Sequence, residues 1–218
     1  MSTLFKKCSI RAIRLCLLFI TTLVYNNMAF AIEEADYQLI SHHHNDIEIR
    51  DYPPQILATV TVAGDFNTVG NKAFSPLFDY ISGANQQQST IAMTAPVSQR
   101  HETIDMMTPV QQTEQGQRWQ ISFMMPAHYT IANIPQPEDP SVAIQPIPPR
   151  RIAAIRYSGT WHQDNYQAHL TILQQWLRTS PYEAVDSPIW ARYNSPYSLW
   201  FLRKNEIFIP VRARRQTQ

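Results

Sequence analysis

The sequence predicts an α+β domain built twice, as two strand–helix–strand–strand (βαββ) units related by a pseudo-twofold. Two observations carry this. The stretch YPPQILATVTVAGDF (Tyr52 to Phe66) aligns without a gap on IPPRRIAAIRYSGTW (Ile147 to Trp161), so that Pro53 and Pro54 fall on Pro148 and Pro149, Leu57 on Ile152, Val60 on Ile155 and Gly64 on Gly159. An amphipathic helix follows each copy, and each half closes on a strand that reaches a proline, Pro126 in one and Pro210 in the other. A half-apolar sheet with one amphipathic helix cannot bury its own surface, so each unit is expected to cover what the other leaves bare.

In chain order, residues 1–31 read as an export leader. Lys6, Lys7, Arg11 and Arg14 precede the apolar run Leu15 to Val24, and Ala29-Phe30-Ala31 is a small-x-small cleavage signal. The run is short of the roughly 20 apolar residues a spanning helix needs, so cleavage is expected rather than a retained anchor, with no membrane span afterwards. Neither Cys8 nor Cys16 follows small residues, which argues against a lipoprotein. Residues 32–45, with His42-His43-His44, are polar and read as a lead-in.

Repeat one is expected over 46–126. Ile47 to Tyr52 and Gln55 to Ala63 alternate as strands either side of Pro53-Pro54, which cannot donate to a ladder and so mark a bend or edge. Asp65 is the expected N-cap of a helix over Phe66 to Ile81. Phe66, Val69, Ala73, Leu77 and Tyr80 share one face, and Phe74, Phe78 and Ile81 widen the stripe. Ser82-Gly83 stops the helix. A strand is expected over Ile91 to Val97, a loop or hairpin over Arg100 to Gln117, and a strand over Trp119 to Met125. Ala127 to Ser141 is a Pro-rich linker. Repeat two, over 142–212, has its helix at Gln163 to Thr179, with Tyr166, Leu170, Leu173, Trp176 and Leu177 on one face, and strands at Ile189 to Tyr193 and Glu206 to Val211. Residues 213–218 are a tail.

Composition narrows the function. Hydrophobic residues make up 44% and charged residues 16%, as in globular chains, and 16 Pro against 5 Gly favour short strands and loops over a helical bundle. The leader holds both cysteines, four of the 18 basic residues and none of the 17 acidic ones. The remainder is therefore acidic by three with His neutral, and has no thiol for a disulfide or a Cys-metal site. An acidic chain lacks the basic face nucleic acid requires, so no nucleic-acid partner is expected. Export points to a periplasmic location.

The segments YPP (Tyr52 to Pro54), Ala73-Phe74, YISGAN (Tyr80 to Asn85), IAMTAPV (Ile91 to Val97) and RKNEIFIPV (Arg203 to Val211) resemble the SOUL / haem-binding-protein family over about Ile47 to Val211. The resemblance implies a distorted antiparallel β-barrel of two βαββ repeats with two flanking helices. It also implies kinship with GyrI-like effector-binding domains, which hold small aromatic or cationic molecules between their halves.

The first functional expectation is thus reversible, non-covalent binding of haem or another tetrapyrrole by a monomeric, non-enzymatic protein. Such a ligand is a flat apolar plate with acid tails, needing aromatic and Met walls and cations for the tails. Phe74, Phe78, Met93, Met125 and Trp200 are the candidate walls, with Met124 beside them; Arg203, with Lys204, is the candidate cation. For any single wall residue, plain core is the more ordinary reading. The helix positions that are basic in haem-binding relatives read Asn71 and Asp79 here, with Lys72 nearby. Candidate iron or metal ligands are His42, His43, His44, His128 and His162, and the lack of CxxCH excludes covalent c-type haem.

The alternative is a GyrI-like module that binds or hydrolyses cationic aromatic compounds through Glu206, which shares a strand face with Phe208. A half-buried carboxylate there would attract a lipophilic cation and have a raised pKa suited to a general base. The plain reading is a strand-end Glu bonded to Arg203 or a backbone amide. An envelope interaction module with no small ligand is a third possibility. No catalytic triad, nucleophile elbow or P-loop motif occurs.

Overall fold

Pro53-Pro54 and Pro148-Pro149 are where the chain changes partner, and the sheet is organised by that change. The computed structural model describes residues 33–101, 118–195 and 197–215. The expected leader, most of the expected loop over 100–117 and the last tail residues lie outside them. The strands are β1 (Glu33–Glu34), β2 (Gln38–His43), β3 (Ile47–Tyr52), β4 (Gln55–Ala63), β5 (Thr94–Ala95), β6 (Val97–His101), β7 (Arg118–Met124), β8 (Val142–Ile147), β9 (Arg150–Tyr157), β10 (Tyr182–Ala184), β11 (Ile189–Arg192) and β12 (Asn205–Ala213). The helices are α1 (Phe66–Ser82) and α2 (Gln163–Thr179), with a 3-10 turn at Trp200–Leu202.

Ten strands form one sheet in the order β2-β3-β9-β12-β11-β6-β7-β4-β8, with β10 on β12. Setting β2 aside and exchanging the repeats (β3 for β8, β4 for β9, β6 for β11, β7 for β12) gives the same order read backwards. The pseudo-twofold therefore passes between β6 and β11, which pair antiparallel with Gln99 opposite Trp190. Each proline pair sends a repeat's leading strand to the other half: β3 pairs with β9 and β8 with β4. Neither pair needs to donate at the bend. The two turns that enter the helices match as well, with Gly64 at φ 149° and Gly159 at φ 115°, a conformation that side chains with a Cβ rarely adopt. The described strands run from an edge at β2 to an edge at β8, so the sheet is open and "barrel" describes it only approximately.

Alternation sorts the side chains onto two faces. The helices cover one. Phe66, Val69, Ala73, Leu77, Tyr80 and Ile81 of α1, and Leu170, Leu173 and Leu177 of α2, are buried there with Ile49, Val60, Ile121, Phe123, Ile155, Trp190 and Ile207. Phe66 stacks on Trp190 at 4.8 Å and 13°, which ties the start of α1 to the central strand of the other half. Asp65 caps α1 by accepting from the Asn67 amide at 2.8 Å. The opposite face carries a smaller apolar group: Tyr52, Ile152, Ala154, Ile189, Ala191 and Phe208.

Two sequence expectations shift. The lead-in is not merely an arm: Gln38–His43 is a strand on the β3 edge. The strand expected over Ile91 to Val97 begins only at its end. Thr94 and Ala95 pair with β1, and β6 starts at Val97. Ile91 is buried, and the Thr94 hydroxyl donates to the Met124 carbonyl. The apolar pattern there reflects burial without a ladder.

Candidate functional site

The face turned away from the helices holds a cleft at the junction of the halves. Tyr52, Leu57, Met124, Arg150, Ile152 and Phe208 line it, and Ala35 closes it from the segment after β1. Its free volume is about 30 Å³, on the order of one water molecule. Through Ala35, Gln55 and Met124 it adjoins a groove of about 320 Å³ at the end of the sheet. The groove is lined by Ile56, Met125, Tyr129, Ile131 and Ile147, with Pro53, Pro54, Pro126 and Pro146 along its rims. Prolines suit such a rim because they leave no unpaired backbone N–H facing an apolar space.

Beside the cleft lies a charged cluster on β3, β9 and β12. Glu206 is fully buried, and Arg50 is 1% exposed. Arg50 donates from Nη1 to Oε2 and from Nη2 to Oε1 of Glu206, both at 2.9 Å. Its Nε donates to Glu48 at 2.7 Å, and its guanidinium lies 4.3 Å from the Tyr37 ring centre. The Tyr193 hydroxyl donates to Glu206 Oε2 at 2.5 Å, and Arg156 Nε approaches Oε1 at 3.4 Å. Burial alone would raise the Glu206 pKa, but the hydrogen bonds and charge of Arg50, with the Tyr193 bond, hold it below its ordinary value. The expected raised pKa is therefore reversed. The partner is neither Arg203 nor a backbone amide but Arg50, and the carboxylate's charge is already matched.

The other cations on the two faces are placed differently. Arg150 opens β9 and lines the cleft; its Nη2 reaches Gln55 Oε1 at 3.4 Å, while its Nε is buried without a hydrogen-bond partner. Burial pushes its pKa down, and the charge of Arg100 adds to that. On the helix side, Arg192 donates to Gln99 Oε1 at 2.9 Å and lies over Trp190 at 4.5 Å. Burial lowers its pKa to about 10.

The residues singled out from the sequence fall in several places. Phe74 and Phe78 are 38% and 46% exposed on α1, stacked on each other at 5.6 Å, with Phe74 edge-on to Phe123. Met93 is half-buried against the main core, and Met125, itself buried, lines the groove. Trp200 is 58% exposed in the 3-10 turn, beside the exposed Leu199, Phe201 and Leu202. Arg203 lies 4.3 Å from the Trp161 ring centre and donates to the Ser198 carbonyl at 3.0 Å. Lys204 bonds Glu34. Of these, the cleft and groove gather Met124 and Met125.

Among the histidines, the His43 ring lies tilted against Trp176 at 4.8 Å and pairs with the Ser41 hydroxyl, while His42 lies 3.9 Å from Asp46. The three consecutive histidines thus do not converge, and among the described residues no group of three His, Cys, Asp or Glu is arranged to hold a metal. His162 is the N-cap residue of α2 without a side-chain cap bond, and the His128 ring lies tilted against Tyr129 at 4.2 Å beside the groove. Sequence reasoning missed Arg50, Arg150, Tyr129 and Ile131. For Arg50 one signal was available, a charged residue between the apolar positions of the first strand.

YISGAN has a structural explanation. Asn85 is fully buried; its Nδ2 donates to the Tyr80 carbonyl at 3.0 Å and the Ser89 carbonyl at 2.7 Å, and its Oδ1 accepts from the Ser89 amide. The Tyr80 hydroxyl donates to the Pro135 carbonyl at 2.7 Å, holding the linker against α1. The motif builds the floor under the helix end.

A duplicated βαββ sheet with an apolar cleft on its twofold and a groove at its mouth is a small-molecule-binding α+β domain. The family model described as SOUL heme-binding protein matches residues 32–210. The chain belongs to that family. In fold it is similar to the C-terminal domain of EcmrR, with a TM-score of 0.57 at 15% identity over 81% of this chain and 98% of that one. It is similar also to EcmrR in an EcmrR–DNA complex, with a TM-score of 0.58 at 16% identity over 96% and 69%. A hydrolase from Listeria innocua matches with a TM-score of 0.53 at 10% identity over 86% and 98%. At these identities the likeness establishes the fold alone. No curated protein gives a significant match. Among the described residues, no helix is long and apolar enough to cross a membrane.

Proposed function

We propose that this protein binds haem or another tetrapyrrole reversibly and non-covalently, with the plate seated in the groove at the end of the sheet. The observation that carries the reading is the groove itself: about 320 Å³, walled by Ile56, Met125, Tyr129, Ile131 and Ile147, in a chain of the SOUL heme-binding family. That volume falls within the roughly 300–1,000 Å³ of small-molecule sites. The lining suits a flat apolar ligand, and Met supplies an adaptable wall. The inner cleft of about 30 Å³ does not admit a plate. Met124, Met125, Tyr129 and the adjacent His128 are the side chains of iron-ligating type at the groove. On the reading of residues 1–31 as an export leader, this binding takes place in the periplasm, by a monomer without catalysis.

Absorbance titration of the purified protein with hemin tests the reading. Saturable binding with a shifted Soret band is expected. A spectrum that is the sum of free hemin and protein at all ratios overturns it.

A further inference from the structure

The cleft at the twofold carries a charge that its surroundings do not cancel. Its walls are apolar: Leu57, Met124, Ile152, Ile189 and Phe208. One ionised side chain enters it, Arg150. Among the described residues Arg150 makes no ion pair, and its Nε is buried with no hydrogen-bond partner. Its single hydrogen bond is the long one to Gln55. Glu34, bonded to Lys204, and Asp36 line the adjoining groove but not the cleft, and three further carboxylates are committed elsewhere. Glu206 is held by Arg50 and Tyr193, Asp186 pairs with Arg100 at 3.1 Å, and Asp51 pairs with Arg151 at 2.7 Å. The largest charge effect on Arg150 is that of Arg100, of like sign, with Asp186 acting more weakly the other way.

Arg150 is half-buried, and a guanidinium whose Nε is buried without an acceptor is costly unless one completes it. A planar fork of N–H groups suits a carboxylate best. The space beside Arg150 is too small for a ligand body and takes at most the tip of a carboxylate, and it shares Gln55 and Met124 with the largely apolar groove.

We propose that the cleft is an anion subsite: Arg150 holds a carboxylate carried by an amphiphilic ligand whose apolar body lies in the adjoining groove. This deepens the small-molecule reading above and rests on it for the groove. It reverses the ligand charge expected from Glu206, because the acid of this face is neutralised and the base is not. The carboxylate has two chemical sources, the acid tail of a tetrapyrrole or the head of a fatty acid.

Affinities for protoporphyrin IX, its dimethyl ester and dodecanoate, measured by tryptophan quenching and calorimetry, test the proposal. Protoporphyrin IX is expected to bind at least about 10-fold tighter than its ester, the scale of one charge-assisted hydrogen bond. Arg150→Gln should erase that preference, and Arg150→Lys should keep part of it, with thermal midpoints confirming that both variants fold. Should Arg150→Gln fail to fold, the acid-to-ester ratio in the unaltered protein and in Arg150→Lys decides. Equal affinity for acid and ester in the unaltered protein, or a preference that survives Arg150→Gln, overturns the proposal. If neither porphyrin binds but dodecanoate does, in an Arg150-dependent way, the tetrapyrrole reading falls and the anion subsite stands, with a fatty acid as its source. If none of the three binds, both fall.

Discussion

Arg50 and Glu206 are 156 residues apart in sequence and form a two-pronged ion pair, each Nη nitrogen 2.9 Å from its own carboxylate oxygen. One strand, β9, separates theirs in the sheet. The pair bolts the first strand of one repeat to the last strand of the other. Removing one member leaves the other charged and buried, so Glu206→Gln should cost about 3–5 kcal/mol of stability. Arg50→Met with Glu206→Leu removes both charges and should cost less than the single change. Urea denaturation of the three proteins measures both effects. A Glu206→Gln protein as stable as the parent would show that the pair contributes little.

The same pair sets an acid limit. The folded-state pKa of Glu206 lies below its ordinary 4.5. A depressed carboxyl contributes stability that is fully present above the unfolded value and lost as pH falls through the folded one. Stability should therefore decline as pH drops below about 4.5, as Glu206 protonates and Arg50 loses its partner. Asp51 and Glu183, also held low by arginines, add to the decline. In Glu206→Gln the slope of unfolding free energy against pH should flatten in that window, read by thermal midpoints taken from pH 7 to pH 3. An unchanged slope would assign the acid limit to the other carboxylates.

How far the sequence carried follows from the range of each interaction. β4 and α2 fall on their expected bounds, and α1 exceeds its own by one residue. Alternation, helical spacing and the Asp65 and Gly83 signals are all local. The ungapped match of the repeats located the twofold, since Gly64 and Gly159 occupy the same turn. What stayed hidden was set by partners far away. Nothing local says that the strand before Pro53 pairs with the other half, or that a polar stretch such as Gln38–His43 finds an edge on β3. Glu206 was visible as a carboxylate in an apolar strand, but its pKa direction depended on Arg50, which only the folded sheet supplies. Phe74 and Phe78 sat at the margin of the apolar stripe, where periodicity alone cannot separate a half-exposed position from a buried one.

Gly70 shows how tightly Arg192 is fitted between α1 and the central strand. A methyl group added at Gly70 would meet Arg192 Nη2 at 2.5 Å and Nη1 at 3.1 Å. Gly→Ala inside a helix ordinarily gains about 1 kcal/mol. Here Arg192 would have to give up its place beside Gln99 and Trp190, and overpacking of this kind costs about 1–3 kcal/mol. Gly70→Ala is therefore expected to be neutral to destabilising. In an Arg192→Met background, the same change should become stabilising. A double-mutant cycle from thermal or urea unfolding reads this as a coupling between the two positions. Simple additivity would mean that the guanidinium swings aside at no cost.

Two apolar surfaces compete as the seat of a flat ligand, the exposed Phe74–Phe78 pair on α1 and the groove beside Met125. They separate by substitution because both offer exposed residues whose replacement spares the core. Ile131 is 51% exposed and lines the groove. Ile131→Asp puts a charge where an apolar plate would lie, and should weaken hemin binding at least about 10-fold, as the loss of one buried apolar contact plus a desolvated charge requires. Phe74→Gln with Phe78→Gln removes the stacked pair and should change stability by only about 1 kcal/mol. It should leave hemin affinity within about twofold, since the groove is untouched. The reverse pattern, loss of binding with the double Phe change and none with Ile131→Asp, would move the ligand from the groove to the outer face of α1. The lining residues Tyr129 and Met125 would then have no part in binding.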